Sequence, residues 1–303
     1  MIRTSELFSA ILLLNQKAIQ TIKAVDATGH LNTVNKGTKE KLDPCTDADL
    51  RAQQIIVSNL QFYFPELPIV GEERVEADPS AIIPDLDLNL VQPSVIPAGL
   101  CELNVDELIV WIDPLDATLE YVQRNLEVVT SLIGVALKGR PIFGAIGLVF
   151  SEPQTVYWGG PGMGLFKLVG ENAITYEAFD APKPNKRLII GSGMKDEKVI
   201  NFINSLEADT VLKIPGSGFK AIKVILGEID AQVVPKTSAM KWDACASEAL
   251  ILACSGQYTM MSGDCYNYVI EDSHLLYGGI LATRDAELHE YLTIKYHENK
   301  QLM

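Results

Sequence analysis

Apolar residues at Leu7, Ile11, Leu14, Ala18, Ile22 and Val25 recur at helical spacing, with Arg3, Glu6, Lys17 and Lys23 between them, so the chain opens on an amphipathic helix. Its longest unbroken apolar run, Ala10 to Leu14, is too short for a signal peptide or a membrane span. After a polar stretch from Gly29 to Lys41, a second helical pattern runs through Ala52, Ile55, Ile56, Leu60 and Phe64. Thr46 or Asp47 is its natural N-cap and Pro65 its end. Leu67 to Val70 reads as a short strand delivering Gly71-Glu72-Glu73. Residues 76–107 hold Pro, Asp and apolar residues without a sustained period, which predicts a long excursion, either a surface insertion or a lid. The chain returns in the apolar run Leu108 to Ile112, a buried strand that Pro114 should stop, so Asp113 sits at its exit. Asp116 and Thr118 then fall on a turn into a short helix beginning near Leu119.

Two further apolar runs, Val128 to Leu137 and Ile142 to Phe150, are joined by Lys138-Gly139-Arg140-Pro141 and predict an antiparallel hairpin. Val156 to Trp158 and Leu165 to Leu168 form another pair around Gly159 to Gly164. That glycine cluster leads into a strand and not into a helix, so it is no dinucleotide fingerprint. A composition shift at Pro182 to Lys186 marks a boundary between an N-terminal α+β domain, 1–181, and a C-terminal α/β domain, 182–303. In the second, Leu188 to Ile190, Lys198 to Leu206, Val211 to Ile214, Phe219 to Leu226, Asp230 to Val234 and Ala244 to Ala253 alternate strand and helix.

Composition narrows the function. Lys and Arg number 25 against 39 Asp and Glu, a net charge of −14, which argues against a nucleic-acid polymer or an anionic membrane as partner. A small anionic substrate remains compatible if metal ions and a few lysines reverse the field locally. The 5 cysteines include no Cys-x-x-Cys pair, which points to reduced thiols in a cytoplasmic protein and away from zinc. Nothing in the sequence calls for an obligate protein partner.

Acidic residues stand at the predicted element ends: Asp49, Glu72, Asp113, Asp116 and Asp243, the last in Lys241-Trp242-Asp243-Ala244. The 4 histidines join none of these clusters. An all-oxygen set of this kind suits Mg²⁺, which prefers carboxylates, retained waters and phosphate oxygens. Taken singly, the same residues also read as helix caps and strand-end turns, Asp243 as the N-cap of the helix after it.

Taken together and in order, Thr46-Asp-Ala-Asp49, Gly71-Glu-Glu73, Asp113-Pro-Leu-Asp-Ala-Thr118 and Trp242-Asp-Ala244 resemble the lithium-sensitive inositol monophosphatase superfamily, over most of the chain from about Asp43 to about Thr283. Within it the chain is most similar to the branch that removes a phosphate from bisphosphate nucleotides. Trp111 to Tyr121, the long insertion after Glu73, Gly216-Ser-Gly-Phe-Lys220 and Lys241-Trp-Asp243 with Glu248 carry that likeness. The resemblance implies an αβαβα layered sandwich of two subdomains. It implies two or three Mg²⁺ held by Glu72, Asp113, the carbonyl of Leu115, Asp116 and Asp243, with inhibition by Li⁺. Asp49 and Thr118 would activate the attacking water, and the backbone N–H groups of Ala117 and Thr118 would receive the scissile phosphate. Ser192, Gly216, Ser217 and Lys220 match positions that hold the rest of the substrate.

Where the family carries glycine this chain has Ala117, a strained residue if φ is positive there. A histidine common after the Ser192 segment is absent from Gly193-Met194-Lys195, which leaves adenine recognition unassigned. The implied activity is release of the 3′-phosphate of adenosine 3′,5′-bisphosphate, with its sulfated precursor, PAPS, left open as a second substrate. Its rivals are 1-phosphatase action on inositol 1,4-bisphosphate and a non-catalytic metal- and nucleotide-binding regulator.

Overall fold

The computed structural model describes residues 1–38, 42–173, 175–181, 189–192, 196–271 and 273–302. Its first half runs β1 (Ile2–Arg3), α1 (Thr4–Ala27), β2 (Val34–Asn35), β3 (Pro44–Cys45), α2 (Asp47–Tyr63), β4 (Ile69–Gly71), β5 (Glu102–Leu103), β6 (Leu108–Asp116) and α3 (Thr118–Val122). Then come β7 (Thr130–Leu137), β8 (Arg140–Leu148), β9 (Thr155–Gly160), β10 (Gly164–Val169) and β11 (Tyr176–Ala178). The second half continues with β12 (Ile189–Ser192), α4 (Glu197–Asn204), β13 (Thr210–Lys213), α5 (Ser217–Ile225), β14 (Ala231–Val234) and β15 (Ala239–Met240). It ends with α6 (Lys241–Ala253), β16 (Gln257–Thr259), β17 (Leu275–Leu276), β18 (Ile280–Thr283) and α7 (Ala286–Asn299).

A 7-stranded sheet, β11-β10-β9-β8-β7-β6-β4, is antiparallel except for the parallel pair β4 and β6. Its strands read as nearly unbroken apolar runs because both faces are covered. Val110, Ile112, Ile133 and Val135 face α1 and α2, whereas Trp111, Leu132 and Ala136 face α5 and α6. Glycines let the helices come close: a methyl on Gly134 would lie 2.6 Å from the backbone nitrogen of Ala246 in α6, and one on Gly147 would overlap Asn15 and Ile19 of α1.

The second sheet, β13-β12-β14-β18-β16, is parallel from β13 to β14 and antiparallel thereafter. Ile280 and Ala282 point to α5 and α6, while Leu281 points to the far side with Phe202 of α4 and Leu292 of α7. Five layers result, α1/α2, sheet, α5/α6, sheet, α4/α7, the expected αβαβα order. The expected boundary at Pro182 to Lys186, and Leu188 of the strand expected there, lie outside the described residues. Among the described residues no helix is long and apolar enough to cross a membrane.

Two local expectations change, and a third gains detail. Strand β6 does not stop at Pro114 but continues to Asp116 through a register shift between Asp113 and Asp116. A bulge tolerates the missing proline N–H and re-aims the flanking side chains. The 76–107 excursion holds short 3₁₀ turns and β5, which pairs antiparallel with β1. Asp243 is not the N-cap: Met240 holds that position in α6, and Asp243, at the third position of the first turn, reaches back to accept the Met240 N–H.

Candidate active site

Helix α2 sets the first group. Thr46 caps it, its hydroxyl accepting the Ala48 N–H at 3.1 Å and donating to Asp49 Oδ2 at 2.6 Å, while the Thr46 N–H donates to the same oxygen at 2.8 Å. With Oδ2 tied down, Oδ1 of Asp49 is left facing the Thr118 hydroxyl at 3.0 Å. That hydroxyl is also 2.9 Å from the Leu115 carbonyl oxygen, so its single proton serves one acceptor at a time. Asp49 is 1% exposed. Burial pushes its carboxyl up to about 6, against the stabilising hydrogen bonds from Thr46 and Thr118.

Three more carboxylates from other elements line the same cavity as Thr118. Asp113, at the bulge of β6, accepts the Leu115 N–H on Oδ1 at 3.1 Å and is otherwise sealed. Burial first, then the charges of Glu72, Asp116 and Asp243, hold it well above the ordinary carboxylate range. Asp243 accepts the Met240 N–H on Oδ2 at 2.7 Å. It is pushed up to about 8 by burial and then by Asp116, with the Met240 N–H opposing. Glu72 continues the β4 ladder, its N–H donating to the Ile112 carbonyl at 3.0 Å, and its carboxylate meets the Lys36 ammonium at 2.9 Å. Burial raises it to about 7 even with Lys36 pulling the other way.

These side chains line, with Leu115, Ala117, Thr118, Asp43 and Glu120, a cavity of about 200 Å³. Buried carboxylates that repel one another are costly unless a cation joins them. The donors here are hard oxygens of carboxylates and a carbonyl, a set that fits Mg²⁺.

Asp116 is held differently. Its Oδ1 accepts the Ser217 N–H at 3.1 Å, and its Oδ2 accepts the Gly218 N–H at 2.8 Å and the Thr130 hydroxyl at 2.9 Å. The start of α5, expected to receive a substrate phosphate, therefore takes the chain's own carboxylate. Gly216 has φ 73 and lies so close that a methyl on it would stand 3.1 Å from Asp116 Oδ2. Lys220 is buried and folds back along its helix, donating to the carbonyls of Ile214 at 3.2 Å and Gly216 at 2.5 Å; burial lowers its pKa. Its ammonium satisfies the turn that opens α5. Ser192 closes β12, in register with Lys213 of β13.

Ala117 adopts the left-handed conformation, φ 71 and ψ 43, so alanine occupies the backbone state that glycine would take without strain. The structure thus gathers Asp49, Glu72, Asp113, Leu115, Asp116, Ala117, Thr118 and Asp243 in one place, with Gly216 and Ser217 behind Asp116. Sequence reasoning misses Lys36, which lies in a stretch that reads only as polar, and Thr130, one unremarkable residue at a strand start.

Residues 4–301 match the sequence model of the inositol monophosphatase family. The 3′(2′),5′-bisphosphate nucleotidase 1 of Mus musculus is 32% identical over 274 residues, 88% of this chain and 87% of the mouse protein. Among solved structures, an IMPase from Thermotoga maritima is similar with a TM-score of 0.69 over 98% of each chain at 19% identity. An IMPase/NADP phosphatase complexed with Mg²⁺ and phosphate is similar with a TM-score of 0.64, covering 91% of this chain and 90% of that one at 18% identity.

Proposed function

Because this chain belongs to the inositol monophosphatase family, we propose that it is a Mg²⁺-dependent phosphomonoesterase that cleaves adenosine 3′,5′-bisphosphate to AMP and phosphate. The observation that carries the chemistry is the Thr118 hydroxyl, set between Asp49 Oδ1 and the Leu115 carbonyl, at the cavity that Glu72, Asp113, Asp116 and Asp243 line. The choice of substrate rests on the likeness to the mouse nucleotidase.

Glu72, Asp113, the Leu115 carbonyl, Asp116 and Asp243 would hold two or three Mg²⁺, which would supply the positive charge that lets an anionic phosphate accept a nucleophile. Thr118 accepts a proton from the attacking water while passing its own to Oδ1 of Asp49. The water oxygen bonds to phosphorus, the P–O3′ bond breaks, and the departing 3′-oxygen takes a proton from solvent water. With a carboxyl raised to about 6, Asp49 is ionised at neutral pH and basic enough to receive that proton. The five unpaired cysteines support a cytoplasmic setting. The two separate sheets support a division into subdomains near residues 181 and 182.

Phosphate release in Mg²⁺ from adenosine 3′,5′-bisphosphate, inositol 1,4-bisphosphate and monophosphates, ranked by kcat/KM, tests the reading. The bisphosphate nucleotide should rank first. Preference for inositol 1,4-bisphosphate would move the substrate assignment, and no release from any of them would leave a regulator. Li⁺ should inhibit uncompetitively, because a monovalent cation accepted by the same oxygens cannot supply the charge of Mg²⁺. Rates that match in equimolar LiCl and NaCl would remove that part.

A further inference from the structure

Glu72 and Glu73 follow β4, an edge strand of the larger sheet. Along an extended chain, backbone groups of successive residues point to opposite sides. The Glu72 N–H points inward to Ile112 of β6, so the N–H and C=O of Glu73 point outward, where the sheet has no further strand among the described residues. Gln53 fills that place. Its Oε1 accepts the Glu73 N–H at 3.0 Å and its Nε2 donates to the Glu73 carbonyl, so a single side-chain amide stands in for a neighbouring strand. Gln53 is 1% exposed. A methyl on Gly71 would overlap its amide, which accounts for glycine at that position.

Gln53 leaves α2 one turn after Asp49, and residues four apart share a helix face. The same rigid helix therefore carries the group facing Thr118 and grips the backbone beside Glu72. We propose that Gln53 is a positioning residue that fixes the Glu72 carboxylate relative to Asp49, so that metal affinity depends on it although it touches neither metal nor substrate. The inference rests on Glu72 being a metal ligand, and the test separates the two.

The test titrates Mn²⁺, followed by the electron paramagnetic resonance signal of the free ion, into the wild type, Gln53→Met, Gln53→Glu, Glu72→Gln and the double variant Gln53→Met/Glu72→Gln. Circular dichroism checks folding of each. Gln53→Met removes both hydrogen bonds at similar length and should weaken Mn²⁺ binding by about tenfold or more, the usual cost of losing a group that orients a ligand. The kcat at saturating Mg²⁺ should stay within about twofold, because the lost term is binding. Gln53→Glu keeps the acceptor for the Glu73 N–H and should fall between, and it carries the test if the methionine variant does not fold. In the Glu72→Gln background the methionine should add nothing. Wild-type Mn²⁺ affinity in a folded Gln53→Met or Gln53→Glu protein, with Glu72→Gln weakened, overturns the positioning role. Wild-type affinity in Glu72→Gln itself overturns the reading of Glu72 as a ligand.

Discussion

Asp116→Asn should separate two kinds of carboxylate within one site. Asp116 accepts from donors on both oxygens: the Ser217 N–H on Oδ1, the Gly218 N–H and Thr130 hydroxyl on Oδ2. Either orientation of an asparagine amide sets an NH₂ against one of those N–H groups. The less costly choice faces Ser217, whose amide is only part-buried, and keeps the buried bonds to Gly218 and Thr130. An orphaned donor there costs about 1–2 kcal/mol, toward the low side because water can reach it. Loss of the charge at the start of α5 adds about 0.5–1 kcal/mol. The sum, about 2 kcal/mol, corresponds to a fall in Tm of about 3 °C for a chain of this size.

Asp113→Asn and Asp243→Asn make no such conflict: each carboxyl accepts one backbone N–H, which an asparagine oxygen can still accept, and burial and its neighbours already oppose its ionisation. Melting followed by circular dichroism, in EDTA so that metal loss does not register, should show Asp116→Asn lowered and the other two unchanged or raised. All three should lose phosphatase activity. An Asp116→Asn protein as stable as the wild type, or an Asp243→Asn protein lowered equally, would refute the division of roles.

Thr118→Ala should lower kcat by about 10²–10⁴ with KM nearly unchanged, the range for a lost proton transfer, and Thr118→Ser should restore much of it; a change confined to KM would make Thr118 only a structural contact. Ala117→Gly should raise stability by about 0.5–1 kcal/mol, the relief of left-handed strain less the added freedom of the unfolded chain, and keep kcat. A destabilised glycine variant in urea titration would show that the methyl packs usefully. In EDTA, stability should decline from pH 6 to pH 9: Asp243 and Glu72 have folded pKa values raised to about 8 and about 7, so their protonated forms favour folding most below the unfolded values and that advantage fades as pH rises through the folded ones. Mg²⁺ favours the ionised forms, so its shift in Tm should be larger at pH 9 than at pH 6. Equal shifts at both would contradict the clustering of these groups.

Residues that act within one segment are legible in the sequence itself. Asp113 to Thr118 carries three side chains from a strand end to a helix start in six positions, and that spacing alone confines them to one neighbourhood. The Thr46 cap and the 138–141 hairpin are similarly local; Lys138 and Gly139 both take positive φ, 51 and 75, as a tight turn between twisted strands demands. Pro114 misleads because a missing N–H stops a regular ladder but not a bulged one.

Long-range pairing is what the sequence conceals. The rule that a glycine-opened helix start attracts an anion holds at Gly216, but the anion is Asp116, 101 residues from Ser217. Nothing in either segment marks the other. Once Asp116 spans that gap, the two sheets are tied at the proposed metal site, since Asp116 ends β6 of the first and α5 packs toward the second. A ligand that binds there and draws on Asp116 also pulls on the start of α5. On the proposed mechanism the residue that joins the layers is also one that the chemistry loads, and its two-sided hold on α5 is why Asp116→Asn is expected to cost stability where Asp243→Asn does not.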